Sequence, residues 1–297
     1  MLKKWRLFCL ISLIGITQIL QSTTSFSQNK EFKVFDAIMI KNKPNLYNKG
    51  FSKINMIYED SLLNNHPKFP SDFNSRVVNQ NKVQSSFKRI DSKYPICIDV
   101  ESWLLKGQFL NSSVKKYSKL LSQFRAKFPA SELGYYGVLP FADLNIYQAK
   151  ATFLKNNKNK NWLGEWEYIN NNLGDLGDIS SVAFPSCYTR YKDRALWLTA
   201  FKMQIEKVKK INPKLKIYAF VWPQYYSPGF GYNEQYIEGD FWRYQLEEIY
   251  KLCDGVVIWA PPIHSSNRKG IYWDDSQEWF KETISFIKQK KIISNYK

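Results

Sequence analysis

Apolar, β-branched and aromatic residues gather in short runs along the chain, and most runs are followed by a stretch with helical spacing. Uninterrupted runs of this length predict buried strands over 32–40, 54–58, 94–100, 133–139, 179–188, 215–222 and 255–259. Between them the 3.6-residue period predicts helices over 114–128, 196–211, 241–252 and 277–287. In the first of these, Tyr117, Leu120, Leu121, Phe124 and Phe128 fall on one face, and Asn212-Pro213 is a stop signal for the second. Strand–helix units repeated in this way imply a parallel sheet with helices outside it. Six or seven such strands in about 270 residues predict a single α/β domain, a (β/α) TIM-type barrel of seven or eight strands. A doubly wound sheet fits less well, because no glycine-rich phosphate turn follows the first strand.

The N-terminus changes which residues count toward that domain. Lys3, Lys4 and Arg6 precede an apolar run over 7–20, and Ser25-Phe26-Ser27 offers small residues where a signal peptidase reads. Residues 1–27 are therefore expected to be a signal peptide, with 28–297 as the mature barrel and a secreted, periplasmic or cell-surface location. The run is shorter than the roughly 20 residues of a membrane span and Gln18 interrupts it, so no stable span is expected after cleavage. Cys97, Cys187 and Cys253 remain, an odd number inside apolar runs, which reads as buried small hydrophobes rather than a disulfide framework. His66 and His264 are the only histidines, leaving little room for an imidazole metal site or a Ser-His-Asp triad, and no metal or cofactor is expected. The net charge of +17 is compatible with an acidic polymer as partner. Lysine and asparagine are nevertheless abundant everywhere, and no compact basic block stands out, so nucleic acid is not an expected partner.

Candidate chemistry stands at the ends of the predicted strands. Asp99 and Glu101 follow Pro95-Ile-Cys-Ile, Tyr136 lies in the next strand, and Asp143 comes after it. Tyr188 and Arg190 end the run through Phe184, Trp222 and Tyr225 the run through Ile217, and Trp259 the last one. In a barrel these ends form the face that carries the active site. Aromatic faces stack on the apolar faces of sugar rings, and carboxyl groups cleave glycosidic bonds. Asp99 and Glu101 are two apart, on one side of a strand, and two close carboxylates cannot ionise independently. A same-strand pair fits poorly the usual retaining geometry, in which the acids flank the scissile bond. It fits better a reaction in which the substrate's own N-acetyl group is the nucleophile.

Four motifs, Ile98-Asp-Val-Glu-Ser-Trp103, Gly134-Tyr-Tyr-Gly137, Phe184-Pro-Ser-Cys-Tyr188 and Gly255-Val-Val-Ile-Trp259, together resemble the ordered motifs of the hyaluronidase family of glycoside hydrolases. The resemblance implies a (β/α) barrel that cleaves N-acetylhexosamine linkages in hyaluronan or chondroitin with acetamido participation. It implies Glu101 as proton donor, Asp99 as the carboxylate that orients the acetamido group, and Tyr188 and Trp259 as pocket walls. Two departures are visible. Leu104-Leu105 stands where the family commonly has Arg-Pro after its tryptophan, and Ala142-Asp-Leu-Asn145 replaces its Cys-Tyr-Asn.

Three functions fit these residues. The leading one is a secreted endo-glycosidase acting on a polysaccharide of β-linked N-acetylhexosamine, an acidic glycosaminoglycan or another amino-sugar polymer. Asp99, Glu101 and Tyr188 would be catalytic, with Tyr136, Asp143, Arg190, Trp222, Tyr225 and Trp259 binding substrate. The second is a non-catalytic carbohydrate-binding barrel. The third is a conventional two-carboxylate glycosidase whose second acid lies elsewhere, at Asp143 or Asp240. Glu101 in a walled cleft favours an enzyme, and Glu101 in a surface ion pair favours the binder.

Overall fold

The computed structural model describes residues 31–69, 71–142, 160–228 and 230–295. The signal peptide expected over 1–27 and Asp143 lie outside these residues. The elements run in the order β1 (Lys33–Ile38), β2 (Asn55–Tyr58), β3 (Leu63–Asn64), β4 (Val77–Val78), α1 (Gln80–Phe87), β5 (Ile96–Asp99) and α2 (Leu110–Lys127). They continue with β6 (Leu133–Tyr135), α3 (Lys160–Asn171), α4 (Gly174–Ile179), β7 (Val182–Ala183), α5 (Arg194–Ile211), β8 (Lys216–Val221), α6 (Gly239–Leu252), β9 (Gly255–Ala260) and α7 (Glu278–Lys290). Each of the seven predicted runs therefore contains a strand, and each predicted helix is present.

One sheet has the order β1-β9-β8-β7 and another β2-β5-β6, all pairs parallel, while β3 and β4 form a short antiparallel ladder. Parallel bridges join the two larger sheets along both edges, between Phe35 and Ser52 just ahead of β2, and between Tyr136 and Phe184. Parallel strands covered on both faces read as continuous apolar runs, and β5 and β9 are such strands. Ile96, Cys97, Ile98, Val256, Val257 and Ile258 are wholly buried. Cys187 and Cys253 are also buried.

Two strands are shorter than their runs, for local reasons. The prediction over 179–188 keeps only Val182–Ala183 as ladder, because Ile179 closes α4 and Pro185 has no N–H to donate. Beyond it the chain stays extended and bonds in turn to both neighbours: Gly137 N donates to Phe184 O (2.9 Å) and Cys187 N to Phe220 O (2.8 Å). The run over 133–139 stops at Tyr135, since Gly137 turns the backbone into the left-handed region at φ 66°. At the same seam Gly134 lies so near β7 that a Cβ there would sit 2.0 Å from the Val182 carbonyl oxygen. Only glycine lets the strands approach this closely.

Helix α2 buries Tyr117, Leu120, Leu121 and Phe124, as its period requires. Its Tyr117 hydroxyl donates to the Val100 and Trp103 carbonyls at 2.8 and 3.1 Å, tying the helix to the segment beyond β5. Helix α5 begins where the Asp193 side chain accepts from Leu196 N, a side-chain cap on orphan donors. Among the described residues no helix is long and apolar enough to cross a membrane.

Candidate active site

A cleft of about 890 Å³ opens at the C-terminal ends of the parallel strands. Asp99, the last residue of β5, and Glu101, two residues beyond it, both line the cleft. Among the described residues Asp99 Oδ1 is buried without a hydrogen-bond partner. Burial, then the charges of Glu101 and Glu59, push the Asp99 carboxyl up to about 8. Glu101 is also raised, by burial first and then by Glu59. Its side chain is exposed to the solvent of the cleft. At neutral pH the pair thus retains a proton, which is what a general acid requires.

Facing the pair is an aromatic wall. Tyr188 is surrounded by Trp259, Trp222 and Tyr136, with ring centroids 5.9, 5.9 and 6.1 Å away. The Tyr188 and Trp259 planes are within 23° of parallel. Tyr136 shares a hydrogen bond of 3.0 Å with Ser186, which holds the phenol in place. Arg190 also lines the cleft, its guanidinium 4.4 Å from the centre of the Tyr226 ring. Six of the strand-end residues singled out in the sequence, Asp99, Glu101, Tyr136, Tyr188, Trp222 and Trp259, are thus brought to one cleft together with Arg190.

Tyr225 is not. Expected to bind substrate, it is wholly buried outside the cleft lining, where its hydroxyl donates to Glu238 and its ring packs edge-on against Tyr232. Being near a strand end does not decide which side of the loop a ring falls on. Asp240, weighed as a distant second acid, is exposed at the start of α6 and pairs with Arg194. It does not line the cleft.

Other residues join the site without having been anticipated. Tyr58 ends β2 in register with Asp99, and its hydroxyl accepts from Trp259 Nε1 at 3.3 Å. Burial pushes this phenol up to about 12. Tyr58 ends the run over 54–58 and Glu59 is the next residue, so the strand-end pattern that points to Asp99 points to both. Tyr58 and Glu59 stand behind the lining; on the cleft wall itself, Glu234 takes a left-handed backbone (φ 61°) and is buried. It accepts from Ser265 N at 2.7 Å and Ser266 Oγ at 2.7 Å, and from the Ser265 hydroxyl. Burial would raise this carboxyl, but the serine donors outweigh it and hold the group at about 2. Glu165, exposed on α3, is a further acid of the lining.

No family model and no curated protein matches the chain. Among solved structures, bee venom hyaluronidase matches with a TM-score of 0.57 and 14% identity, over 89% of this chain and 98% of that one. A putative α-L-fucosidase from Bacteroides thetaiotaomicron VPI-5482 matches with a TM-score of 0.39 and 8% identity, over 71% and 61% of the two chains. The likeness to the venom enzyme spans nearly the whole of both chains, and at this identity it is a likeness of fold. The protein is a mixed α/β protein with parallel sheets, similar in fold to a TIM-barrel hydrolase.

Proposed function

We propose that the protein is an endo-glycosidase that hydrolyses β-linked N-acetylhexosamine bonds, with a hyaluronan- or chondroitin-like polysaccharide as its leading substrate. The fold would be a seven-stranded (β/α) barrel, a reading supported by the parallel bridges along both edges of the larger sheets. The N-terminal pattern supports action outside the cytoplasm. What carries the function is the carboxyl pair: two acids from one strand end, both with raised proton affinity, in a cleft walled by Tyr188, Trp222 and Trp259. Glu101 lines the cleft and, among the described residues, makes no ion pair, which favours an enzyme over a binding barrel.

The chemistry follows from the proton the pair holds. In the free cleft the deeper Asp99 has the higher proton affinity. A sugar acetamido N–H donating to Asp99 favours its ionised form, and the proton passes to Glu101. Glu101 then protonates the leaving glycosidic oxygen while the acetamido oxygen closes on the anomeric carbon. The positive charge that develops on the acetamido group is stabilised by Asp99, and Tyr188 hydrogen-bonds the same group. Water opens the cyclic intermediate with Glu101, now a carboxylate, as base, returning the proton to the pair.

A conventional mechanism needs a carboxylate free to attack from the other side of the sugar ring. Among the described residues of the lining, Glu234 has its oxygens engaged by two serines, which leaves Glu165 as that candidate beside Asp143. The deciding experiment compares N-acetylated and de-N-acetylated polymer by reducing-end assay, with a thiazoline mimic of the cyclised sugar as inhibitor. Cleavage confined to acetylated polymer and inhibition by the thiazoline are expected. A covalent sugar ester on Asp99 or Glu165, or efficient cutting of the de-N-acetylated polymer, would overturn the mechanism.

A further inference from the structure

We propose that Glu59 is a positioning residue for the carboxyl pair: from the end of β2 it grips the backbone that presents Glu101 and places one fixed negative charge beside both acids. This rests on the reading of Asp99 and Glu101 as the reacting groups.

The grip is explicit. Glu59 Oε2 accepts from the backbone N–H of Glu101 at 3.2 Å and of Ser102 at 3.1 Å. Glu59 Oε1 receives Arg76 Nη1 at 2.6 Å, which fixes the carboxylate in one orientation and leaves its other oxygen for the two amides. Arg76 is itself buried, and its carbonyl accepts from Trp103 Nε1 at 2.9 Å. Asn74 Oδ1 accepts from Leu104 N at 2.8 Å. With the Tyr117 hydroxyl on the Trp103 carbonyl, the segment from Glu101 to Leu104 is therefore held at four points by side chains and backbone outside β5, and Glu59 supplies the one on Glu101 itself. A loop residue that must deliver a proton needs this support, since misplacement by about 1 Å can cost on the order of 100-fold in rate.

The charge has a second effect. Glu59 acts on both Asp99 and Glu101, raising the affinity of each for a proton. The other ionisable groups that couple to the pair are Cys97 on β5, Tyr58 on β2, Tyr117 on α2, Tyr136 after β6 and Tyr188 after Cys187, while Lys106, Glu165, Arg190, Glu234 and Arg268 also line the cleft. Burial pushes the thiol and each of the four phenols up, so at neutral pH they are neutral, and Glu59 is the neighbouring anion that acts on both acids. Arg76, paired to Glu59 and Asp60, lies on the far side of the carboxylate from the amides it holds.

Two variants separate grip from charge. Glu59→Gln keeps an oxygen for the two amides, removes the charge and turns its NH2 toward Arg76 in place of the second acceptor; Glu59→Asp keeps the charge and withdraws it by one methylene. The primary readout is the titration of ¹³C-labelled Asp99 and Glu101 carboxyls in the unliganded protein, which needs no substrate. Glu59→Gln should lower the midpoints of the pair by on the order of one pH unit. Glu59→Asp should leave the midpoints near wild type, shift the Glu101 and Ser102 amide resonances, and lower kcat by about tenfold with KM nearly unchanged. Unmoved midpoints in a folded Glu59→Gln protein would overturn the charge role. Unmoved amide resonances in Glu59→Asp would overturn the grip, and this second variant decides the matter should the first fail to fold. Wild-type protein that cuts no amino-sugar polymer would sink the glycosidase reading instead, leaving the titrations to judge Glu59.

Discussion

Asp99 and Glu234 are two shielded carboxyl groups on one cleft, and the protein treats them in opposite ways. Asp99 has a buried oxygen with no donor among the described residues, and burial with two neighbouring acids raises it to about 8. Glu234 is pushed upward by burial too, yet Ser265 and Ser266 give it backbone and hydroxyl donors that bring it to about 2. Desolvation and like charge raise Asp99, and no donor among the described residues offsets them, whereas four serine donors outweigh the burial of Glu234. Glu234 is thereby an anchor, pinning the segment at Ser265–Ser266 to the turn that carries it, while Asp99 and Glu101 between them keep a proton. Environments that drive like groups apart are how one site holds both acid and anion at the same pH.

The largest expected effect tests the acid end. Glu101→Gln should lower hydrolysis by roughly 10²–10⁴-fold, the share general acid catalysis typically supplies, with folding and polymer binding nearly intact. Activity within a few-fold of wild type would remove Glu101 from its role. Asp99→Asn should reduce kcat strongly, and it should also stabilise the protein in a pH-dependent way. The folded-state value of Asp99, about 8, lies above its ordinary value of 3.8, so the folded protein binds the extra proton between these limits. Wild-type stability therefore falls as pH rises from about 4 to about 8 through this group, whereas asparagine does not titrate. The melting temperature of Asp99→Asn should match wild type near pH 4 and exceed it at pH 8; equal curves at both would mean that Asp99 is not strained.

Glu234→Gln should do the reverse. A depressed carboxyl contributes stability above its ordinary value of 4.5 that is lost as pH falls toward about 2. At neutral pH the variant should melt lower by roughly 2–4 °C, and the gap should close in acid. Unchanged melting at pH 7 would make the serine clamp incidental. The smallest effect concerns the net charge of +17. If exposed cations guide an acidic polymer, its apparent affinity should weaken as salt rises, and a flat profile would reduce the charge to composition.

Much of the framework was legible because buried parallel strands must be apolar on both faces, and the chain writes β5, β8 and β9 as such runs. The short ladder of β3 and β4 and helix α1 were not, since α1 buries only Val83, Ser86 and Phe87 and shows little apolar period. The acids were legible as residues emerging from an apolar strand. Tyr225 went astray because its loop, not β8, decides its direction. Glu234 had no sequence signal at all: its role comes from a left-handed backbone and from serines 31 and 32 residues away, which only the fold brings near.

The buried cysteines give the molecule a built-in clock. Cys97 lies two residues before Asp99 on β5, and Cys187 immediately precedes Tyr188. Burial pushes both thiols well up, so in the native state they are protonated and shielded from the electrophiles that a thiolate would attack. Alkylation of either side chain must wait for the surrounding structure to open. The rate at which each reacts in native buffer thus records how often the wall behind the acids, and the wall behind the tyrosine, come apart.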